Sequence, residues 1–135
     1  MKQTFDTDAI LYGILMTSPV KNAISGNIYV GNDRPDDSQD EDIVVNSIDL
    51  TQDHLPQIGT SNVNIYVPDM IVNIGNKQQT KSNRARLKIL SEMAIKSLRE
   101  AIVEGLVFTI DSQTILTETS VKQHFTNIRL SWNIH

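Results

Sequence analysis

The amino-acid sequence predicts an α+β fold, with a mostly antiparallel sheet and two helices packed on one face. Between Arg84 and Glu104, apolar residues recur at spacings of three and four, which is typical of an amphipathic helix. Residues 127–134 alternate apolar and polar side chains, as expected of a sheet covered on one face and open on the other. The predicted order of elements is α-β-β-β-α-β-β-β, in a single domain over residues 1–135.

The first predicted element is a helix that begins near Thr7, with Asp6 or Thr7 as its cap. Its apolar stripe consists of Ile10, Leu11, Ile14 and Leu15. Ser18-Pro19 predicts a break followed by a second short helical turn. Strands are then predicted over residues 27–31 and 43–50, on either side of a polar loop.

The middle of the chain predicts one half-buried strand between polar segments. Residues 51–61 are interpreted as a connection, and residues 62–67 alternate apolar side chains with Asn and Tyr. Pro68 lacks a backbone donor, so we expect the strand either to lie at an edge or to carry a bulge there. Residues 70–74 are interpreted as its continuation, and residues 77–82 as a flexible basic stretch.

Three strands are predicted after the amphipathic helix. Gly105 is placed at the C-terminal cap of the helix, and residues 106–111 form the first strand. Residues 111–113 are interpreted as a tight turn that leads into a Thr-rich return strand over residues 114–120. The alternating residues 127–134 form the last strand.

The composition excludes several classes of protein. The chain of 135 residues has no cysteine, so disulfides and Cys-ligated metal sites are excluded. The net charge of −4 argues against a general nucleic-acid binder. The apolar stretches are far shorter than the ~20 residues that cross a bilayer, and the polar N-terminus lacks the apolar core of a signal peptide. We therefore expect the protein to remain in the cytoplasm of the cell that makes it.

The residue types that carry chemistry form no recognisable pattern. His54, His124 and His135 are scattered and share no regular spacing with an acid, so we interpret them as exposed polar residues. The acidic loop lacks the alternating oxygen ligands, central Gly and closing Glu of a calcium-binding loop. There is no Ser-His-Asp arrangement, paired-carboxylate pattern or phosphate-cradling glycine cluster. The sequence therefore nominates no catalytic, metal-binding or cofactor-binding residue, and predicts that the protein is not an enzyme.

Two oppositely charged segments form the candidate interface. The acidic residues are Asp33, Asp36, Asp37, Asp40, Glu41 and Asp42, and the basic residues are Lys77, Lys81, Arg84, Arg86 and Lys88. The plain interpretation is a solvated, mobile loop and a solvated helix entrance. The sharper hypothesis is that the basic patch contacts the acidic loop of a neighbouring copy, since such charges suit a head-to-tail, ring-forming contact. A nucleic-acid backbone is a third candidate for the basic patch, but no interleaved aromatic residues are present to stack bases.

With this order of elements, the chain resembles the phage tail-terminator or tail-completion proteins, the family of the minor tail protein U type. The likeness is carried by the helix over residues 6–15, the strand Asn27-Ile28-Tyr29-Val30 before a polar loop, the long helix between two groups of strands, and the closing residues 127–134. It covers nearly the whole chain and lies in the layout of elements.

The resemblance implies a homo-oligomeric ring, usually of six copies, that caps the end of the tail tube. Such a ring stops tube polymerisation, joins the tail to head–tail connector proteins and becomes part of the virion. The family has no catalytic residues to carry over. The alternative is a small monomeric binding or regulatory module that uses the Lys77–Lys88 patch, and an enzyme with a diffuse site ranks last.

Overall fold

The computed structural model describes residues 1–135 and contains three helices and seven strands, which confirms the α+β class. The helices are α1 (Thr4–Met16), α2 (Pro19–Ala23) and α3 (Arg84–Glu100). The strands are β1 (Ile28–Val30), β2 (Asp42–Leu50), β3 (Gln57–Pro68), β4 (Met70–Ile74), β5 (Lys77–Lys81), β6 (Leu106–Glu118) and β7 (Gln123–Ile134). None of the helices combines the length and apolar character that spanning a membrane requires.

Five strands form the main sheet, in the order β1-β2-β3-β7-β6. β1 runs parallel to β2, and every other neighbouring pair is antiparallel, as predicted for most of the sheet. β3 and β7 pair along their whole length, from Gln57 opposite Ile134 to Pro68 opposite Gln123. The three residues of β1 form one edge of the sheet, and the thirteen residues of β6 form the other.

The core lies between this sheet and the helices on one of its faces. α1 and α3 pack against the sheet, and nineteen buried apolar residues form one continuous cluster. Ile65 of β3 and Leu130 and Trp132 of β7 are almost completely buried, so the predicted alternation is confirmed in both strands. The indole N–H of Trp132 donates to the Ser61 hydroxyl at 2.8 Å, which satisfies the one polar atom that this ring buries.

α1 begins earlier than predicted and is tied to the sheet through polar side chains. The Asp6 carboxylate accepts a hydrogen bond from the backbone N–H of Gln3 at 2.7 Å. Thr7, predicted as a cap, is instead buried, and its hydroxyl lies 2.6 Å from that of Ser47 in β2. The Asp8 carboxylate accepts from the Ser47 backbone N–H at 2.7 Å. The acidic start of the helix therefore serves as an attachment to β2.

α3 follows the predicted stripe but ends sooner. Asn83 caps the helix by accepting a hydrogen bond from the backbone N–H of Arg86 at 3.2 Å. The buried stripe consists of Leu87, Leu90, Ser91, Ala94 and Leu98. The helix ends at Glu100 because Ala101 adopts an extended conformation, and Ile102, predicted to lie in the stripe, is 96% exposed.

β3 is longer than predicted and starts within the segment interpreted as a connection. The buried side-chain amide of Gln57 donates to the backbone carbonyls of Thr51 at 2.7 Å and Lys2 at 2.9 Å. At the other end, β2 accompanies β3 only as far as Tyr66. Pro68 therefore lies where one side of β3 is unpaired, although β3 itself is a central strand.

Residues 70–81 form a separate two-stranded hairpin, so two of the predictions for this segment are wrong. β4 does not continue β3 in the main sheet, and the residues interpreted as a flexible basic stretch form the regular strand β5. Gly75 and Asn76 connect the strands with φ angles of +58° and +64°. Positive φ at both positions is the geometry of a type I′ turn, which matches the twist of a hairpin. Gly75 and Asn76 therefore form the turn of this hairpin.

The segment after α3 is one long strand, where a turn and two strands were predicted. Gly105, with a φ of +75°, lies in a tight turn that leads into β6 and does not cap α3. β6 continues through residues 111–113, and its register with β7 shifts by one residue at Asp111. This bulge accommodates the extra residue without ending the strand, and the Asp111 carboxylate accepts a hydrogen bond from the Ser131 hydroxyl of β7.

Candidate functional site

The predicted acidic loop is folded around one buried carboxylate. Asp42 is 1% exposed and accepts hydrogen bonds from the Arg34 guanidinium at 2.9 Å, the Ser38 hydroxyl at 2.6 Å and the Asn27 backbone N–H at 2.9 Å. Because burial of an unpaired carboxylate is costly, these three donors explain why Asp42 can start β2. The prediction of a solvated residue is wrong for Asp42.

Glu41 and Arg86 form an ion pair within one chain. The Arg86 guanidinium donates to both carboxylate oxygens of Glu41, at 2.7 and 2.9 Å, and also to the Ala23 carbonyl. The hydrogen bond to Glu41 is the main reason that the pKa of Arg86 is raised, and burial opposes it. The pair joins the acidic loop to α3, so both residues stabilise the fold of the single chain.

The other acidic residues of the loop face solvent. Asp33, Asp36, Asp37 and Asp40 are exposed, and none of them forms an ion pair in the structure. Arg34 holds the loop from inside, since its guanidinium also donates to the Gln123 side chain at 2.7 Å and lies 4.1 Å from the centre of the Tyr66 ring. Arg34 is the single cation among six acids in this loop. That pattern could have indicated its role, which the sequence analysis missed.

The predicted basic patch is divided between two elements. Lys77 and Lys81 lie on β5, at the two ends of the hairpin, and both are exposed. Arg84 and Lys88 are exposed on the first turns of α3, where Lys88 lies 3.8 Å from Glu92. The lysines lie on a hairpin that is separate from the main sheet, whereas Arg84 and Lys88 lie on α3.

A cleft of about 690 Å³ lies between the acidic loop and the open face of the sheet. We call it the loop cleft. Its apolar surface is contributed by Val44, Tyr66 and Val121, and its acidic side chains are Asp36, Asp37 and Glu118. The Tyr66 ring stacks on Phe125 with 4.7 Å between centroids. Burial raises the pKa of Tyr66, although the nearby Arg34 charge opposes this shift.

The edge strand β6 offers a second unpartnered surface. Val107 and Leu116 are 55% and 45% exposed, and β6 pairs on one side only. A cleft of about 650 Å³ separates α3 from this strand, with Ser91 and Ile95 on the helix side and Ile115 on the strand side. Such an edge carries backbone donors and acceptors that can pair with another chain.

The prediction that all three histidines are simply exposed polar residues is wrong for His124. The His124 side chain is 23% exposed, and its Nδ1 lies 2.7 Å from the Asp69 carboxylate. Asp69 links β3 to the hairpin, and its backbone N–H donates to the Lys122 carbonyl at 3.2 Å. The register of β3 with β7, which places Val67 opposite His124, could have indicated this proximity. No group of three or more His, Cys, Asp or Glu residues is arranged to hold a metal ion.

Comparison with protein-family models and with curated proteins found no match to this chain. The geometry therefore carries the functional argument. It comprises an unpacked hairpin with two lysines, an acidic cleft and a long open sheet edge, all of which are features of contact surfaces.

Proposed function

We propose that the protein is a structural assembly component of a phage or prophage virion, a tail terminator or head–tail joining protein that forms a ring at the end of the tail tube. The β4–β5 hairpin is the observation that carries this proposal. It makes no substantial contact with any other helix or strand, and Met70, Ile71 and Ile74 are 41%, 66% and 49% exposed. Because an isolated hairpin is marginally stable in water, such an arm is best explained by a partner that covers it.

The two charged contact surfaces are compatible with the proposed ring. The hairpin carries lysines, whereas the loop cleft carries acids, so the two surfaces are different and complementary. When the hairpin of each copy contacts the cleft of the next copy, the contact is head-to-tail, and it closes into a ring if the rotation between copies permits. The proposed partners are further copies of the chain, the tail-tube protein and the head–tail connector proteins.

The proposal is tested by the mass of the protein in solution and by its effect on tail-tube assembly. We expect a discrete oligomer, with six copies as the proposed number, in sedimentation velocity or native mass spectrometry. Added to polymerising tail-tube protein, the oligomer should bind tube ends and shorten the tubes. A protein that stays strictly monomeric at high concentration and leaves tube length unchanged contradicts the proposal.

A second candidate function is a monomeric binding module that uses the basic patch. It is favoured by the exposed cations Lys77, Lys81 and Arg84, which form no ion pair in the structure. Binding of a nucleic acid or another polyanion should then weaken steeply with salt. Arg84→Glu should reduce it, whereas Arg86 is unsuitable for this test because it is paired with Glu41. Affinity that is insensitive to salt and to Arg84→Glu contradicts this function.

A further inference from the structure

We propose that the β4–β5 hairpin of one copy docks into the loop cleft of a neighbouring copy. This inference rests on the proposed assembly function and names the contact that joins the copies.

One face of the hairpin combines an apolar stripe with both of its lysines. Met70 pairs with Lys81, and Ile74 pairs with Lys77, with Val72 between them on the same strand. Directly opposed residues in an antiparallel pair lie on the same face, and so do residues two apart along a strand. The lysines therefore flank Met70, Val72 and Ile74 on one surface, and none of the five side chains is buried.

The loop cleft has the matching arrangement. Tyr66, Val121 and the mostly buried Val44 are its apolar lining. Asp36, Asp37 and Glu118 supply three carboxylates without a cationic partner. The Arg34 guanidinium also borders the cleft, but the buried Asp42 carboxylate already neutralises its charge. An apolar strand flanked by ammonium groups can therefore bury its side chains on the apolar surface and place its charges beside the acids.

The hairpin of the same chain does not fill the cleft, so the hairpin that occupies it belongs to a second copy. The hairpin that leaves β3 after Pro68 does not fill it, and β4 and β5 contact chiefly each other. Strands of five residues extend roughly 17 Å, which is long enough to cross from one subunit to the next. A nucleic acid fits this surface less well, because its phosphates match the lysines and leave the apolar stripe and the acidic cleft unexplained.

Charge reversal on each side tests the contact. The Lys77→Glu/Lys81→Glu variant should weaken self-association by about tenfold or more, and the Asp36→Lys/Asp37→Lys variant should do the same. A mixture of the two variants should recover association, since the opposite charges face each other again. Lys96→Glu on α3 is the matched control and should leave the sedimentation profile unchanged. Circular dichroism verifies that each variant is folded.

Disulfide trapping gives an independent measurement, because the chain contains no cysteine. Lys77→Cys mixed with Asp36→Cys should form a covalent pair of two different copies under mild oxidation. Lys96→Cys mixed with Asp36→Cys should not. Suppose that the wild-type protein forms rings and caps tail tubes. The inference is then overturned if the charge-reversal variants associate like wild type and the cysteine variants form no covalent pair. A wild-type protein that neither associates nor affects tubes overturns both this inference and the proposed function.

Discussion

At the scale of single residues, Arg86 shows how a candidate interface cation can belong to the fold. Its guanidinium makes two hydrogen bonds to Glu41 across forty-five positions of the chain. We expect Arg86→Gln to reduce the free energy of unfolding by about 1–2 kcal/mol, because a charge-assisted pair is lost and Glu41 is left partly buried. Urea denaturation measures this loss. Arg99→Gln, at an exposed position without an ion pair, should cost less than about 0.5 kcal/mol, and equal losses would contradict the assignment.

Tyr66 makes the stability of the fold depend on pH in the alkaline range. Burial raises its pKa above the ordinary value of 10.0, so the folded chain keeps the phenol proton to higher pH than the unfolded chain. Its contribution to stability is therefore present below pH 10 and declines as the pH rises above that value. The difference in tyrosinate absorbance between wild type and Tyr66→Phe isolates this titration. The expected midpoint lies above pH 10, and a midpoint at or below it contradicts the role of burial.

At the scale of elements, Gly26 sits where α2 passes into β1 beside the acidic loop. A Cβ at this position would lie 2.6 Å from the Glu41 carbonyl oxygen and closer still to the Asp42 carboxylate. We expect Gly26→Ala to reduce stability by about 1–3 kcal/mol through this overlap. Gly13→Ala is the matched substitution in α1, where a Cβ meets nothing within 4 Å. Gly13→Ala should instead stabilise the fold by about 0.5–1 kcal/mol. Thermal melts in which both variants shift the melting temperature in the same direction contradict this account.

The elements also show what the sequence could and could not predict. α3, the second half of β3 and most of β7 were identified because their apolar residues follow one regular period. The first residues of β3 and β7 were missed because they are mostly polar and do not show this alternation. β6 was divided in two because residues 111–113 have the composition of a tight turn, and a bulge cannot be distinguished from a turn without the partner strand. The charged residues of the candidate interface were identified individually, but the internal pairing of Arg86 with Glu41 depends on tertiary contact.

At the scale of the whole molecule, one shared core should make the chain unfold as a unit. The nineteen core residues come from all three helices, from Ile24 after α2 and from the main sheet, and Trp132, the single tryptophan, is 1% exposed among them. We expect the urea transition seen by tryptophan fluorescence to coincide with that seen by far-ultraviolet circular dichroism, as in small two-state domains. The slope of stability against urea should be about 1–3 kcal/mol per molar. Two separated transitions would show that residues 1–135 comprise more than one cooperative unit. The hairpin contributes no residue to the core and can open while Trp132 remains buried. A small early change of ellipticity that leaves the fluorescence unchanged therefore reports the hairpin and is distinct from a second major transition.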